Sequence, residues 1–163
     1  MSAITIQRIE RMDLFQGCGR SQLTTIDELS TTLVLRAGRT VCGEGEPGSQ
    51  FFVLIDGLAQ VQNSGGSLAL LHPGAWFGET SLVFKTTHRA SVTTVVDSMV
   101  LVFNRAEFNG LRDVAPQVRE RLDRTAALFA RGDAPTSEPW YQPVVDRMST
   151  APTSMPAIEP SAP

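Results

Sequence analysis

Short apolar runs separated by glycine, proline, asparagine and aspartate occupy the middle of the chain, from residue 31 to residue 104. Such runs, rich in β-branched and aliphatic residues, are typical of β-strands, and the residues between them are typical of tight turns. The pattern predicts these strands: Thr31–Arg36, Thr40–Cys42, Phe51–Ile55, Ala59–Gln62, Leu68–Leu71, Ala75–Phe77, Arg89–Val95 and Met99–Phe103. Short strands at this regular spacing favour a β-sandwich or a β-barrel.

Helical spacing replaces this pattern on both sides of the strand region. Before it, apolar residues share one predicted helix face: Ile4, Ile9, Met12 and Phe15. Ser21 is the predicted N-cap of a second short helix. After the strands, Asn104 is the predicted N-cap of a helix over Arg105–Leu111, and a longer helix covers residues 115–131 with Pro116 in its first turn. The expected fold is therefore mainly β with flanking helices.

The composition restricts the classes of partner and compartment. The chain has 163 residues and a formal net charge of −3, which fits one domain without an electrostatic footprint for nucleic acid or an anionic membrane. No apolar run is long enough to span a bilayer and no signal segment is visible, so we expect a cytoplasmic protein. Cys18 and Cys42 form no paired motif and are expected to be reduced thiols.

The sequence holds no recognisable catalytic motif. It contains no legible Ser/His/Asp set, no metal-ligand spacing, no phosphate-binding G-x-x-x-x-G-K-[ST] loop and no paired carboxylates placed for acid–base chemistry. We therefore predict a protein that is not an enzyme and needs no metal or cofactor.

The candidate binding chemistry lies between Phe77 and Val92. Gly78 and Glu79 stand at the start of a helix-compatible segment, and Arg89 follows eleven residues after the glycine. A glycine allows close approach of an anion, a helix N-terminus supplies free N–H donors, and a guanidinium neutralises charge. A carboxylate beside a phosphate must accept a hydrogen bond from another group, such as a ribose hydroxyl. Arg89 begins a run that should be largely buried, where a guanidinium without an anion would be costly.

The string Gly78-Glu79-x-Ser81-Leu82 followed by Arg89-Ala90-Ser91-Val92 resembles the phosphate-binding cassette of cyclic nucleotide-binding domains. Three upstream segments resemble further motifs of that family in the expected order: Met12 to Gly17, Ala37-Gly38 with Gly43 to Gly48, and Gly48 to Val61. The resemblance covers roughly residues 5 to 131. It implies a jelly-roll-like β-roll over residues 31–104, with helices over 4–30 and 105–131, in one domain over residues 1–131.

The resemblance also implies the ligand-binding residues: Phe77, Gly78, Glu79, Thr80, Ser81, Arg89, Ala90 and Ser91. In this interpretation Gly78 and the amides around Thr80 and Ser81 hold the phosphate. Glu79 accepts from the ribose 2′-hydroxyl, and Arg89 pairs with the exocyclic phosphate oxygens.

The ligand implied is cyclic AMP in preference to cyclic GMP, because Ala90 stands where cyclic GMP-preferring members often carry threonine. Thr80 and Ser81 depart from the aliphatic and small residues common in the family, and the loop before Arg89 lacks the usual proline. These changes are expected to alter affinity without abolishing binding. His88 is expected to be an exposed loop residue.

The functional expectation is a ligand sensor whose C-terminal helices respond to occupancy and regulate an unknown protein partner, as a monomer or a homodimer. One alternative is a degenerate β-roll that serves only as an interaction module. Another is a transcription regulator, although a Pro-rich segment occupies the position of the helix-turn-helix that such regulators need.

The composition changes after Gly132. Residues 132–163 hold most of the ten prolines together with many serines, threonines and alanines, so they are predicted to be a disordered tail. Trp140 and Tyr141 are the exception. They could cover a bound base, dock on a partner protein, or be buried locally, and the sequence leaves these alternatives open.

Overall fold

The computed structural model describes residues 3–144. Within this range the strands are β1 (Thr31–Leu35), β2 (Thr40–Cys42), β3 (Gln50–Asp56), β4 (Ala59–Asn63), β5 (Gly66–Leu71), β6 (Trp76–Phe77), β7 (Ser91–Thr94), β8 (Ser98–Asn104) and β9 (Tyr141–Pro143). The helices are α1 (Ala3–Ile9), α2 (Arg20–Leu29), α3 (Glu79–Phe84), α4 (Arg105–Val114) and α5 (Pro116–Ala130), with a 3₁₀ turn at Asp13–Phe15. Every predicted strand is confirmed, with ends that differ by at most two residues.

The strands form two antiparallel sheets with the orders β1-β8-β3-β6 and β2-β7-β4-β5-β9. Strand β3 lies between β8 and β6, and its residues Phe51–Ile55 are all buried. Phe51 pairs with Phe103 of β8, and its ring centroid lies 5.2 Å from that of Phe108 on α4. Buried side chains from both sheets and the helices form one hydrophobic core. The predicted mainly β fold with flanking helices is therefore confirmed.

Two predicted helix starts have different outcomes. Asn104 caps α4 as predicted: its side chain accepts from the Glu107 backbone N–H at 2.8 Å, and the Glu107 carboxylate accepts from the Asn104 N–H at 2.8 Å. The prediction that Ser21 caps the second helix is wrong, because α2 begins at Arg20 with Gly19 as its N-cap. Gln22 in the first turn accepts from the Gly19 N–H at 2.9 Å, which is the return half of a capping box. Gly19 has no side chain to accept from the first turn, as a serine N-cap would.

Helix α5 connects the N-terminal region to the sheets. Pro116 is its first residue, where the missing N–H costs nothing. The Arg121 guanidinium donates to the carbonyl oxygens of Leu14 and Gln16, at 2.8 and 2.7 Å. Gln117 donates to the Gly17 carbonyl at 3.1 Å. Among residues 3–144 no helix combines the length and apolar character needed to cross a bilayer.

Residues 133–144 form a segment that we call the strap. Its strand β9 pairs with β5, with Tyr141 opposite Leu71. Trp140 is 4% exposed, and its ring centroid lies 4.4 Å from that of Trp76 on β6. The prediction of a disordered tail from residue 132 is therefore wrong as far as Val144, because the two aromatics bury enough apolar surface to offset the ordering of a short strand. The rest of that predicted tail lies outside the described residues.

Candidate ligand-binding site

A cavity of about 120 Å³ lies where the start of α3, the turn before β7, the end of α5 and the strap meet. Most of the predicted site residues line it: Phe77, Gly78, Glu79, Thr80, Ser81, Arg89 and Ala90. Ser91 is the exception, because its hydroxyl accepts from the Glu44 backbone N–H at 2.8 Å in the loop after β2. The cassette thus surrounds one cavity, with Ser91 directed to a neighbouring loop.

Gly78 is required by the backbone itself. It adopts φ +96°, and a Cβ built there would lie 2.7 Å from the carbonyl oxygen of Gln50 on β3. Only glycine combines this conformation with so close an approach. The glycine therefore has a sufficient structural cause, and its identity alone is not evidence for a ligand.

Glu79 is the most buried charged residue of the cavity wall, with 1% exposure. Burial raises the pKa of Glu79 to about 7, and the hydrogen bond from Thr125 partly opposes that shift. Thr125 Oγ1 on α5 donates to Glu79 Oε2 at 2.6 Å and accepts from Trp76 Nε1 at 3.1 Å. Glu79 is therefore a desolvated carboxylate tied to α5 by a hydroxyl donor.

Arg89 corrects the sequence-based expectation of a buried guanidinium. It is exposed, because β7 begins only at Ser91 and Arg89 lies in the preceding turn. Its Nη1 donates to the backbone carbonyl of Phe129 at the end of α5, at 3.0 Å. The side chain still lines the cavity, but solvent removes the argument that it must have a buried anion as partner.

His88 is also placed differently from the expectation of an exposed residue. It is half-buried, and its Nδ1 lies 2.9 Å from the hydroxyl of Ser81. Burial lowers the pKa of His88 below its ordinary value. Its backbone N–H donates to the Glu46 carbonyl at 2.9 Å, which ties the loop before Arg89 to the loop after β2.

The remaining wall comes from residues that were not among the predicted ligand-binding residues. The aromatic part comprises Trp76, Phe129, Trp140 and Tyr141, and the rest comprises Cys42, Val61, Leu71, Thr87, His88 and Val92. Thr125 was not predicted as a site residue, although the sequence contains a feature that points to it. It lies within the apolar stripe of α5, beside Leu122 and Ala126, and a lone threonine on a buried helix face implies a polar partner.

Comparison with known proteins identifies the family. A family model described as cyclic nucleotide-binding domain matches residues 32–114, about half of the chain. A cyclic nucleotide-gated potassium channel of Mesorhizobium japonicum is 30% identical over 128 residues, which are 78% of this chain and 35% of the channel. A cAMP-dependent protein kinase regulatory subunit of Schizosaccharomyces pombe is 30% identical over 104 residues, 63% of this chain and 25% of the subunit. The chain thus spans about a third or less of these relatives.

The fold comparison agrees. The structure of PKAR CBD2 with bound Sp-2Cl-cAMPS matches with a TM-score of 0.70 and 20% identity, over 78% of this chain and 86% of that one. At this identity the likeness concerns the fold alone, and it extends over nearly all of the compared domain. The chain is a member of the cyclic nucleotide-binding domain family.

Proposed function

We propose that this chain binds a cyclic nucleotide, cyclic AMP in preference to cyclic GMP, and acts as a ligand sensor. The observation that carries the proposal is that Glu79, the first residue of α3, and Arg89, in the turn after that helix, line the same cavity. One is a buried acceptor suited to a sugar hydroxyl, and the other is a cation suited to a phosphate. A cyclic nucleotide presents both groups within one small ligand.

The phosphate end of the ligand would be held by Arg89 and by the backbone around Thr80 and Ser81. The guanidinium is planar and has five donors, so it can bind two phosphate oxygens at once. Its exposure leaves it free to reorient, because a single hydrogen bond to Phe129 holds it. Gly78 at φ +96° directs the chain into α3 at the cavity wall.

The ribose would be bound by Glu79. A carboxylate buried to 1% exposure gains from every hydrogen bond that replaces lost water. The ribose 2′-hydroxyl is a donor of the same kind as the Thr125 hydroxyl that Glu79 accepts from in this structure.

The base would lie on the apolar part of the wall. Trp140 and Tyr141 are suited to stack on a purine or to close over it. Ala90 supports cyclic AMP, because it lacks the hydroxyl with which a threonine at this position reaches the guanine amino group.

One specific observation favours the alternative of an interaction module without a ligand. The cavity of about 120 Å³ is smaller than the several hundred Å³ typical of small-molecule sites. A bound nucleotide would therefore need a wider cavity or would lie partly outside it.

Calorimetric titration with cyclic AMP and cyclic GMP in parallel tests the proposal. We expect heat of binding with both and a lower Kd for cyclic AMP. Arg89→Leu should weaken binding by about thirtyfold or more, because one partner of a charged pair is lost, and Arg89→Lys should restore little of it. Arg20→Leu, at an exposed arginine on α2, is the matched control. Absence of binding to either nucleotide would support the interaction module.

The sensor part of the proposal rests on α5, which contacts both the cavity and the N-terminal region. Its Arg121 and Gln117 hold the carbonyls at residues 14–17, while Phe129 lines the cavity. A change of occupancy can therefore alter the N-terminal helices. Capture of a protein partner with and without cyclic AMP would test regulation in trans, and an identical set of captured proteins would count against it.

A further inference from the structure

Both polar side chains assigned to the ligand are already bound to one turn of α5. Thr125 Oγ1 donates to Glu79 Oε2 at 2.6 Å, and the Phe129 carbonyl accepts from Arg89 Nη1 at 3.0 Å. Thr125 and Phe129 are four residues apart, so they lie on the same face of the helix. The turn thus presents a hydroxyl to the carboxylate and a carbonyl oxygen to the guanidinium.

These contacts have the chemistry expected of a bound cyclic nucleotide. A ribose hydroxyl would donate to Glu79 as Thr125 does, and a phosphate oxygen would accept from Arg89 as the Phe129 carbonyl does. The Phe129 side chain also lines the cavity that the ligand would need to enlarge. At both ends of the site, the helix therefore makes the hydrogen bonds that the ligand would make.

The C-terminal half of α5 lies beside a second cavity. Val118 and Leu122 have no exposed surface, and Arg121 binds two carbonyls near the 3₁₀ turn. Thr125 and Leu128 line this cavity of about 280 Å³ under the helix and the strap, together with Arg121. The cavity leaves space on one side of the helix end, so that side makes fewer packing contacts than a filled interior would.

We propose that the turn Thr125–Phe129 competes with the nucleotide for the same two side chains. When the turn is docked it is hydrogen-bonded to Glu79 and Arg89, and a nucleotide can bind these residues only if the turn is released. The inference rests on the proposed function and gives α5 a definite direction of movement. A lid would close on the ligand, whereas this turn leaves when the ligand arrives.

Release of the turn also affects the strap, because Trp76 contacts both of them. The Trp76 indole N–H donates to Thr125 Oγ1 at 3.1 Å, and its ring packs on Trp140 at a centroid distance of 4.4 Å. Withdrawal of Thr125 leaves this indole N–H without its acceptor in a buried position. Movement of the helix end therefore also weakens the packing of the strap on Trp76.

Hydrogen exchange on the full chain tests, without any substitution, whether the turn is released or closes when ligand binds. Saturating cyclic AMP should speed amide exchange in residues 123–130, because bound ligand replaces the contacts that hold this turn. Slower exchange there would mean that the helix closes as a lid, and unchanged exchange would mean that it does not respond. Either result overturns the competition.

The second test is Thr125→Val, which keeps the shape and removes the hydroxyl. We expect faster exchange in residues 123–130 without nucleotide and about a tenfold lower Kd for cyclic AMP, because the docked state loses a charge-assisted hydrogen bond. Thr125→Ser should behave as the unmodified chain. Thr25→Val removes a helical hydroxyl that donates to the Ser21 carbonyl on α2, away from the cavity, and is the matched control.

The outcomes separate the two proposals. Binding by the unmodified chain with an equal or higher Kd in Thr125→Val overturns the competition and leaves the proposed function standing. Absence of binding in both overturns the proposed function and the competition together. Binding in Thr125→Val alone supports both.

Discussion

Thr125 on α5 and Glu79 on α3 share a buried hydrogen bond of 2.6 Å, although they are 46 residues apart in the sequence. The bond joins α5, the second helix between β8 and β9, to the carboxylate to which the family resemblance gives the ribose contact. Burial raises the pKa of that carboxylate to about 7, so its charge changes within the physiological range. The stability of the fold and the proposed response to ligand are therefore both linked to this pair.

The raised pKa of Glu79 predicts a pH dependence of stability with a definite sign. A carboxyl whose pKa is higher in the folded state holds its proton more tightly there. Its stabilising contribution is fully present below the ordinary pKa of 4.5 and is lost as pH rises to the folded value of about 7. Glu79→Gln cannot ionise, so it should gain on the order of 3 kcal/mol of unfolding free energy relative to the unmodified chain between pH 4.5 and pH 8.

Urea denaturation at several pH values measures this difference. Glu28→Gln, at an exposed glutamate on α2, is the control for the substitution itself. Parallel pH profiles for the unmodified chain and Glu79→Gln would contradict the prediction. His88 is present in both proteins, so its own lowered pKa cancels in the comparison.

The strap should contribute to stability through Trp140. Trp140→Ala removes a side chain of 4% exposure that packs on Trp76, and we expect a loss of about 3 kcal/mol in unfolding free energy. Val144→Ala, at a 41% exposed residue of the same segment, should change it by well under 1 kcal/mol. Equal denaturation midpoints for the two variants would show that Trp140 is not seated on the sheets.

Alanine substitutions at Gly78 and Gly74 distinguish the free-energy cost of a positive φ from the cost of a steric clash. Both have positive φ, +96° and +100°, so alanine at either position pays for a conformation that L-residues rarely adopt. A Cβ at Gly74 meets nothing within 4 Å, whereas one at Gly78 lies 2.7 Å from the Gln50 carbonyl oxygen. Thermal unfolding should therefore show a loss of about 1 kcal/mol for Gly74→Ala and a clearly larger loss for Gly78→Ala. A smaller loss for Gly78→Ala would mean that β3 can shift away from the added Cβ without a loss of stability.

The capping box of α4 provides a further test. Asn104→Ala removes the acceptor of the Glu107 backbone N–H and should lower the unfolding free energy by about 1 kcal/mol. Asn109→Ala replaces an exposed asparagine inside the same helix, where alanine has the higher helix propensity, and should be neutral or slightly stabilising. Chemical denaturation of both variants gives the comparison, and equal effects would mean that the cap contributes nothing.

The sequence by itself determined the elements whose signals are local. The strands β1 to β8, the capping by Asn104 and the position of Pro116 follow from residue preferences within a few positions, and the structure agrees with each. The cassette around Gly78, Glu79 and Arg89 could also be found, because its residues lie within twelve positions of one another. Local patterns suffice where neighbouring residues make the decisive contacts.

Only the tertiary structure decided which distant groups meet these residues. The partners Thr125 and Phe129 come from a helix that begins after all the strands of the roll, and no local pattern pairs them with Glu79 and Arg89. The strap was misjudged for the same reason, since proline-rich composition describes residues 132–144 in isolation while Trp140 is stabilised by Trp76, 64 positions earlier. Burial and pKa depend on packing across the whole chain, so the state of Glu79 is a property of the fold.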